Sequence, residues 1–338
     1  MELRVFEENI IREFEGYLKG ANKVAVFTHM NPDGDAIGSA LAFDLAMKNI
    51  DIESKVFIAN EVPDALKWMQ GAESIHVNAK LTDVKEYLED ADIIVCLDFN
   101  EPGRVDQLGT ILKETKLPII VIDHHPQVAS YKGLLIADTS YSSTAELLYW
   151  LLKESNLVVR SMAFAESVYT GIVTDTGSFA YNSSSPKTFK AVADLLEIGF
   201  DKDRVTDLVF QQFDANRIRL LGHLLVNRLE VIEGYGAAYT YLTKEDLNRF
   251  NYKAGDTEGF VNYPLSIKGV TFTAFFIEND DHVKISFRSK GSFPANEFSS
   301  KYYHGGGHLN AAGGRSYEPL YETMEGFEKL VKQFTNEL

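Results

Sequence analysis

The stretch KVAVFTHMNPDGDAIGSALAFDLAM (Lys23–Met47) sets an apolar run, a polar turn and a second apolar run in succession. KVAVFT is almost unbroken in its apolar character, the pattern of a strand buried on both faces. AIGSALAFDLAM has the apolar density of a buried helix. Between them stand His29, Asp33 and Asp35, on either side of Pro32 and Gly34. A tight strand-to-helix turn thus carries three side chains of the kinds that ligate metals.

The same pattern repeats outward from this stretch. ESKVFIA (53–59), DIIVCLD (92–98) and PIIVID (118–123) read as further buried strands, with helix-like segments between them. STAELLYWLLKES and AFAESVYTGIVTD read as two more helices. Alternating strands and helices predict an α/β fold with a doubly wound, largely parallel sheet over residues 1–185. Residues 186–229 have helical spacing throughout and read as a helical connector. From about Glu230 the texture changes: GAAYTYLT, VTFTAFFIE and HVKISFRS are enriched in β-branched and aromatic residues, as strands are. NEFSSKYY and YETMEGFEKLVKQFTNEL read as helices, so residues 230–338 form a smaller α/β domain. The start, MELRVFEENIIREFEGYL, reads as an amphipathic helix and not as a signal peptide.

The chain has 338 residues, 45% hydrophobic and 24% charged, values of a globular protein with room for two cores. Its net charge of −16 argues against a broad basic surface for long nucleic acid. A small anionic substrate stays compatible, because bound cations reverse the field of a carboxylate-lined site. No apolar run has the length of a membrane span. The single cysteine, Cys96, excludes an internal disulfide and points to a reducing, cytoplasmic compartment, with Cys96 a small buried side chain.

Sites in open α/β sheets form in the crevice beyond the carboxyl ends of the strands. His29, Asp33 and Asp35 follow the first strand, Asp98 ends the third, and Asp123, His124 and His125 end the fourth. Asp175 closes a helix in VTDTGSF. One aspartate at a strand end is usually a turn former or helix cap. Four segments delivering carboxylates and imidazoles to one edge predict a metal site. Oxygen and imidazole donors without thiolate suit Mn2+ or Mg2+, and also Fe2+ or Co2+. The ligands are too many for one catalytic ion and suit two that share a bridging carboxylate. Two ions about 3.5–4 Å apart serve in-line phosphoryl displacement.

HMNPDGDAIGS, LDFNEPGR, DHHP and TDTGSF, in that order, resemble the four motifs of the DHH phosphoesterase superfamily, named for the Asp123-His124-His125 triplet. HGGGHLNAAGG (304–314), with FRS (287–289) upstream, resembles the DHH-associated C-terminal domain. Together with FVNYPLSIKGV (260–270), these segments are most similar to the nano-RNase/pAp-phosphatase group. The resemblance implies one ion on His29, Asp33 and Asp98 and a second on Asp35, Asp98, His124 and Asp175, with Asp98 bridging. It implies Asp123 orienting an imidazole and His125 near the scissile phosphate. Arg104, in a segment whose early Pro-Gly turn departs from the group, would lend positive charge. The ions implied are Mn2+ first, then Mg2+ or Co2+, and the family also suggests a homodimer.

The glycines of HGGGHLNAAGG read as backbone that approaches phosphate closely, with a helix start at HLNAAGG. The Lys-Ser/Thr ending of a P-loop is missing, so triphosphate hydrolysis is not indicated. Arg288, Ser289, Gly305, Gly306, Gly307 and His308 are the expected contacts of a terminal phosphate. Lys290 and Lys301 read as solvated; Tyr263, Tyr302 and Tyr303 as packing residues before base stackers; His76, His223 and His282 as structural. The expected activity is metal-dependent hydrolysis of very short RNA to mononucleotides, with phosphatase action on adenosine 3′,5′-bisphosphate. The alternatives are a cyclic dinucleotide phosphodiesterase, acting on cyclic di-AMP or pApA, and a nucleotide-binding sensor without catalysis. Intact motifs argue against the sensor. A Rossmann dehydrogenase is disfavoured because HMNPDGDAIG lacks the glycine spacing a dinucleotide needs.

Overall fold

The computed structural model describes residues 5–126, 128–129, 131–253 and 255–337, with the side chain of His308 outside that set. The chain divides into two compact units, residues 1–212 and 213–338.

The first unit runs α1 (Glu8–Leu18), β1 (Lys23–Thr28), α2 (Gly34–Lys48), β2 (Glu53–Phe57), α3 (Leu81–Leu88), β3 (Ile93–Leu97), α4 (Gly109–Glu114), β4 (Ile119–Asp123), β5 (Gly133–Ala137), α5 (Thr144–Glu154), α6 (Met162–Asp175), α7 (Pro186–Leu196) and α8 (Lys202–Phe210). Its sheet has the order β2-β1-β3-β4-β5, and every pairing is parallel. Successive strand residues face opposite sides. Val24, Val26, Val95, Leu97, Ile120 and Ile122 pack with α1, α2, α5 and α6. Ala25, Phe27, Ile94, Cys96 and Val121 pack with residues of α3 and α4. Both faces are therefore dry, which is why these strands read as unbroken apolar runs. Burying each large aliphatic side chain contributes about 1.5–3 kcal/mol.

β5 was not among the expected strands. It is the sheet's edge, with Leu134 and Ile136 buried and Leu135 44% exposed. Packing on one face leaves a short GLLIA run, which has no strong signature of its own.

The second unit runs α9 (Ala215–Asn227), β6 (Leu229–Ile232), β7 (Ala237–Leu242), α10 (Lys244–Arg249), β8 (Phe272–Glu278), β9 (Val283–Ser289), α11 (Ala295–Tyr302), β10 (Gly306–His308), β11 (Ala311–Ser316) and α12 (Leu320–Glu337). The sheet order is β10-β11-β9-β8-β7-β6, antiparallel except for β7 with β8. One face packs Phe272, Phe276 and Phe287 against Phe298 of α11 and Phe327 and Phe334 of α12. The other packs Phe275 and Ile277 against Leu220 and Leu224 of α9 and Phe260. The three helices of the segment read as a connector divide between cores. Leu195, Phe200 and Val205 join the first unit's core, and α9 joins the second's.

The expected helix start at HLNAAGG is corrected: these residues form the β10–β11 hairpin at the sheet edge. A side chain on Gly307 would place its Cβ 2.4 Å from the Ala311 carbonyl oxygen, and its φ is +145°. Glycine here permits a close cross-strand approach, which local spacing does not distinguish from a loop leading into a helix. Among the described residues no helix is long and apolar enough to cross a membrane.

Candidate metal centre

The order β2-β1-β3 reverses direction between β1 and β3, so the crevice at their carboxyl ends is the topological switch point of the first sheet. Thr28 pairs with Leu97 there, which brings the residues after each strand side by side. After β1 the chain is pinned twice. Met30 N donates to Arg104 O at 2.7 Å, and Asn31 N, with Asn31 at φ +52°, donates to Asn60 Oδ1 at 2.7 Å. Asp33 then caps α2, its Oδ1 accepting from Asp35 N and Ala36 N at 3.0 Å each. Asp35 follows in the first turn and is buried.

Asp98 is the first residue beyond β3 and has φ +65°, a left-handed conformation that costs a non-glycine residue about 1–2 kcal/mol. Asp98 Oδ2 lies 3.4 Å from His29 Nε2. Asp98 Oδ1 lies 3.8 Å from His124 Nε2 and 3.6 Å from His125 Nδ1. Each oxygen of one carboxylate therefore faces a different set of partners. His29 Nε2 is also 3.8 Å from Asp33 Oδ1. His124 Nε2 is also 3.9 Å from Asp35 Oδ2 and 3.4 Å from Asp175 Oδ2.

Among the described residues, three groups have ligand atoms all within 4.8 Å of one another: His29, Asp33 and Asp98; Asp35, His124 and Asp175; and Asp98, His124 and His125. The third competes with a stronger contact, since His125 Nδ1 donates to Asp123 Oδ1 at 2.7 Å. Asp123 is fully buried; its Oδ1 also accepts from His125 N at 3.1 Å, and its Oδ2 has no hydrogen-bond partner among the described residues. His29 Nδ1 donates to the Met30 carbonyl at 2.9 Å, which leaves the Nε2 lone pair toward Asp98. Burial, with smaller contributions from Arg104 and His125, depresses the His29 pKa and keeps the ring neutral, the form a ligand needs.

The carboxylates are held at a cost. Burial, then the charges of Asp35, Asp33, Asp175 and Asp123, pushes the Asp98 pKa well above the carboxylate range. Burial also raises Asp35, although His124 and the amides of Thr144 and Ala145 oppose it. A dry cluster of carboxylates cannot all be ionised without cations. The donor set, oxygen and imidazole only, fits hard divalent ions.

Arg104 is half-buried in the turn Pro102–Leu108, and its charge is felt at His29. In the second unit, Arg288 of β9 pairs with Ala311, which pairs with His308, so the three stand in one row of the sheet. The His308 side chain lies outside the described residues. Gly305 precedes β10, while Gly306 and Gly307 open it. The Ser289 hydroxyl is engaged within the fold, donating to Phe293 O and accepting from Asn310 Nδ2 at 2.8 Å each. Tyr303 is buried in the core, Tyr302 packs on Phe298 and Phe334, and Tyr263 is exposed. Lys290 bonds the Leu265 carbonyl, and Lys301 pairs with Glu337 at 2.9 Å. Three further histidines, read from the sequence as structural, each meet a carboxylate: His76 meets Asp83 at 3.4 Å, His223 meets Asp246 at 2.8 Å and His282 meets Asp281 at 2.7 Å.

Sequence reasoning missed Asn60, Thr144 and Gly171. Thr144 Oγ1 donates to Asp98 Oδ1 at 2.9 Å, and Gly171 lies against Asp35. A signal existed for Thr144. Ser143-x-x-Glu146 is a capping signature that locates a helix start.

Residues 23–172 match the family model described as DHH family, N-terminal domain, and residues 234–337 match the DHHA1 domain. An exopolyphosphatase-related protein from Bacteroides fragilis has a structure similar to this one. It shows 36% identity and a TM-score of 0.94, covering 99% of this chain and 98% of its own. The protein named bifunctional oligoribonuclease and PAP phosphatase NrnA from Bacillus subtilis (strain 168) is 29% identical over 315 residues, 92% of this chain and 95% of that one. Its namesake from Thermus thermophilus is 30% identical over 305 residues, 89% and 87% of the two chains. This chain belongs to the DHH family of phosphoesterases, and is a hydrolase carrying a DHHA1 domain in its C-terminal part.

Proposed function

We propose that this hydrolase cleaves very short oligoribonucleotides to mononucleotides and also removes the 3′-phosphate of adenosine 3′,5′-bisphosphate. The observation that carries the reading is the pair of ligand groups meeting at Asp98, whose oxygens lie toward His29 on one side and His124 on the other. The activities named for the two curated relatives supply the substrate class. The net charge of −16 agrees with a substrate too short to need a basic track.

In this reading His29, Asp33 and Asp98 would hold one ion, and Asp35, Asp98, His124 and Asp175 the other, with Mn2+ the preferred metal. When bound, the ions supply Lewis acidity toward phosphoryl oxygens and ease deprotonation of water. The chain's own groups do the rest. His125, held through Nδ1 by Asp123, exchanges a proton with the phosphoryl or leaving oxygen. Arg104 adds positive charge where negative charge develops. Arg288, with the backbone of the glycine hairpin and His308, binds the terminal phosphate; the guanidinium fork matches phosphate oxygens in pairs. Ser289 serves this site by holding the Phe293 and Asn310 segments in place. The working form is a cytoplasmic homodimer.

The test is a side-by-side hydrolysis assay in Mn2+ with a 5′-phosphorylated RNA dinucleotide, a longer RNA, adenosine 3′,5′-bisphosphate, cyclic di-AMP and pyrophosphate. The expected result is fast release of mononucleotide from the dinucleotide and slow attack on cyclic di-AMP. Preference for cyclic di-AMP would overturn the substrate assignment and leave the metal centre standing.

A further inference from the structure

We propose that Thr144 is a positioning residue for Asp98, and that the first turn of α5 sets the geometry of the metal centre. This rests on the metal-centre reading above.

A helix leaves its first backbone amides without partners inside the helix. In α5 each of the first three has found one. Glu146 N is taken by the hydroxyl of the cap residue, Ser143, at 3.0 Å. Thr144 N and Ala145 N donate to Asp35 Oδ2 and Oδ1, at 2.6 and 2.8 Å. The helix start thus grips both oxygens of a buried carboxylate from α2, where the helix dipole also favours negative charge. The same turn reaches a second carboxylate through the Thr144 hydroxyl, at 2.9 Å from Asp98 Oδ1. Thr144 is fully buried.

Asp98 needs such a hold. Its backbone sits at φ +65°, and the terminal torsion of an aspartate is intrinsically broad. Oδ1 is the oxygen nearer His124, and turning the carboxylate would exchange the two oxygens between ligand groups. Threonine suits the task because its branched Cβ restricts χ1. The helix start is itself anchored. Glu146, fully buried, accepts through Oε2 from Ser142 N, Ser142 Oγ and Thr188 Oγ1 of α7.

The experiment uses the full chain stripped of metal. Calorimetric titration with Mn2+ and a thermal melt are run on wild type, Thr144→Val and Thr144→Ser. Hydrolysis of the dinucleotide is measured alongside. Partners that orient metal ligands typically govern about 10–100-fold in metal affinity or activity. Thr144→Val is expected to lose Mn2+ affinity in that range and to lower kcat with KM unchanged. Its metal-free melting should stay near wild type, and Thr144→Ser should restore most of the affinity. If valine lowers the metal-free melting temperature, Thr144→Ala keeps both amides and is expected to show the same loss. Wild-type Mn2+ affinity in the valine or alanine variant would overturn the proposal. Wild-type protein that takes up no Mn2+ would overturn the metal-centre reading, and this inference with it.

Discussion

Replacing Gly171 by alanine sets a gain in helix propensity against a collision at the candidate metal centre. Gly171 lies inside α6, where α6 crosses α2 and α5. A Cβ there would stand 2.4 Å from Ala145 Cβ, 2.8 Å from Asp35 Oδ1 and 3.3 Å from Asp35 Cα. Carbon atoms normally pack at about 3.5–4.0 Å, so the helices must part or Asp35 must move. The surroundings are tight as well, since a Cβ on Gly38 of α2 would meet the Ser167 carbonyl oxygen at 2.4 Å. Alanine in a helix interior is worth about 0.8–1 kcal/mol over glycine. Overpacking costs about 1–3 kcal/mol. The net expectation is a loss of roughly 0–2 kcal/mol with a clear drop in Mn2+ affinity, because the atom displaced is an oxygen of Asp35. Gly16 of α1 is the control, since among the described residues nothing outside its own helical turns lies within 4 Å of a Cβ there, and Gly16→Ala should stabilise. Trp68 and Trp150 both belong to the first unit, so urea unfolding followed by tryptophan fluorescence reports on that unit. Calorimetry with Mn2+ completes the comparison. If Gly171→Ala stabilises as much as Gly16→Ala and binds Mn2+ unchanged, the claimed contact with Asp35 does not constrain the site.

Asp98→Asn should abolish turnover of both the dinucleotide and bis-p-nitrophenyl phosphate; near-normal turnover would rule out a shared carboxylate at Asp98. Arg288→Ala should cripple dinucleotide cleavage and largely spare bis-p-nitrophenyl phosphate, and equal loss on both would remove Arg288 from terminal-phosphate binding. In the second unit, burial opposes ionisation of Asp246, but hydrogen bonds from Arg228 and Thr243 outweigh it and draw its pKa down to about 2. A depressed pKa stabilises the fold fully above the unfolded value, near 4, and the contribution fades as pH falls through about 2; it is on the order of 2 kcal/mol. Acid unfolding followed by circular dichroism should therefore show a shallower pH dependence in Asp246→Asn between about pH 4 and 2. An unchanged slope would contradict the role given to Arg228 and Thr243.

The sequence by itself determined the alternation of strand and helix, the burial of β1, β3 and β4 on both faces, and the arrival of His29, Asp98 and His124 at one edge of the sheet. These are readable because each depends on a local period or on position relative to a strand end. Tertiary structure alone decided the rest. β5 is a strand because β4 offers it a partner, and the glycine hairpin is a hairpin because β11 pairs with β9. The grip of the α5 amides on Asp35 joins residues 109 and 110 positions apart. The left-handed turn at Asp98, the Thr144 hydroxyl beside it and the bare Cα of Gly171 all answer to neighbours from other elements. A sequence pattern records which face of its own element a residue occupies; what meets that face depends on how the elements pack, and the chain spells that out in no single place.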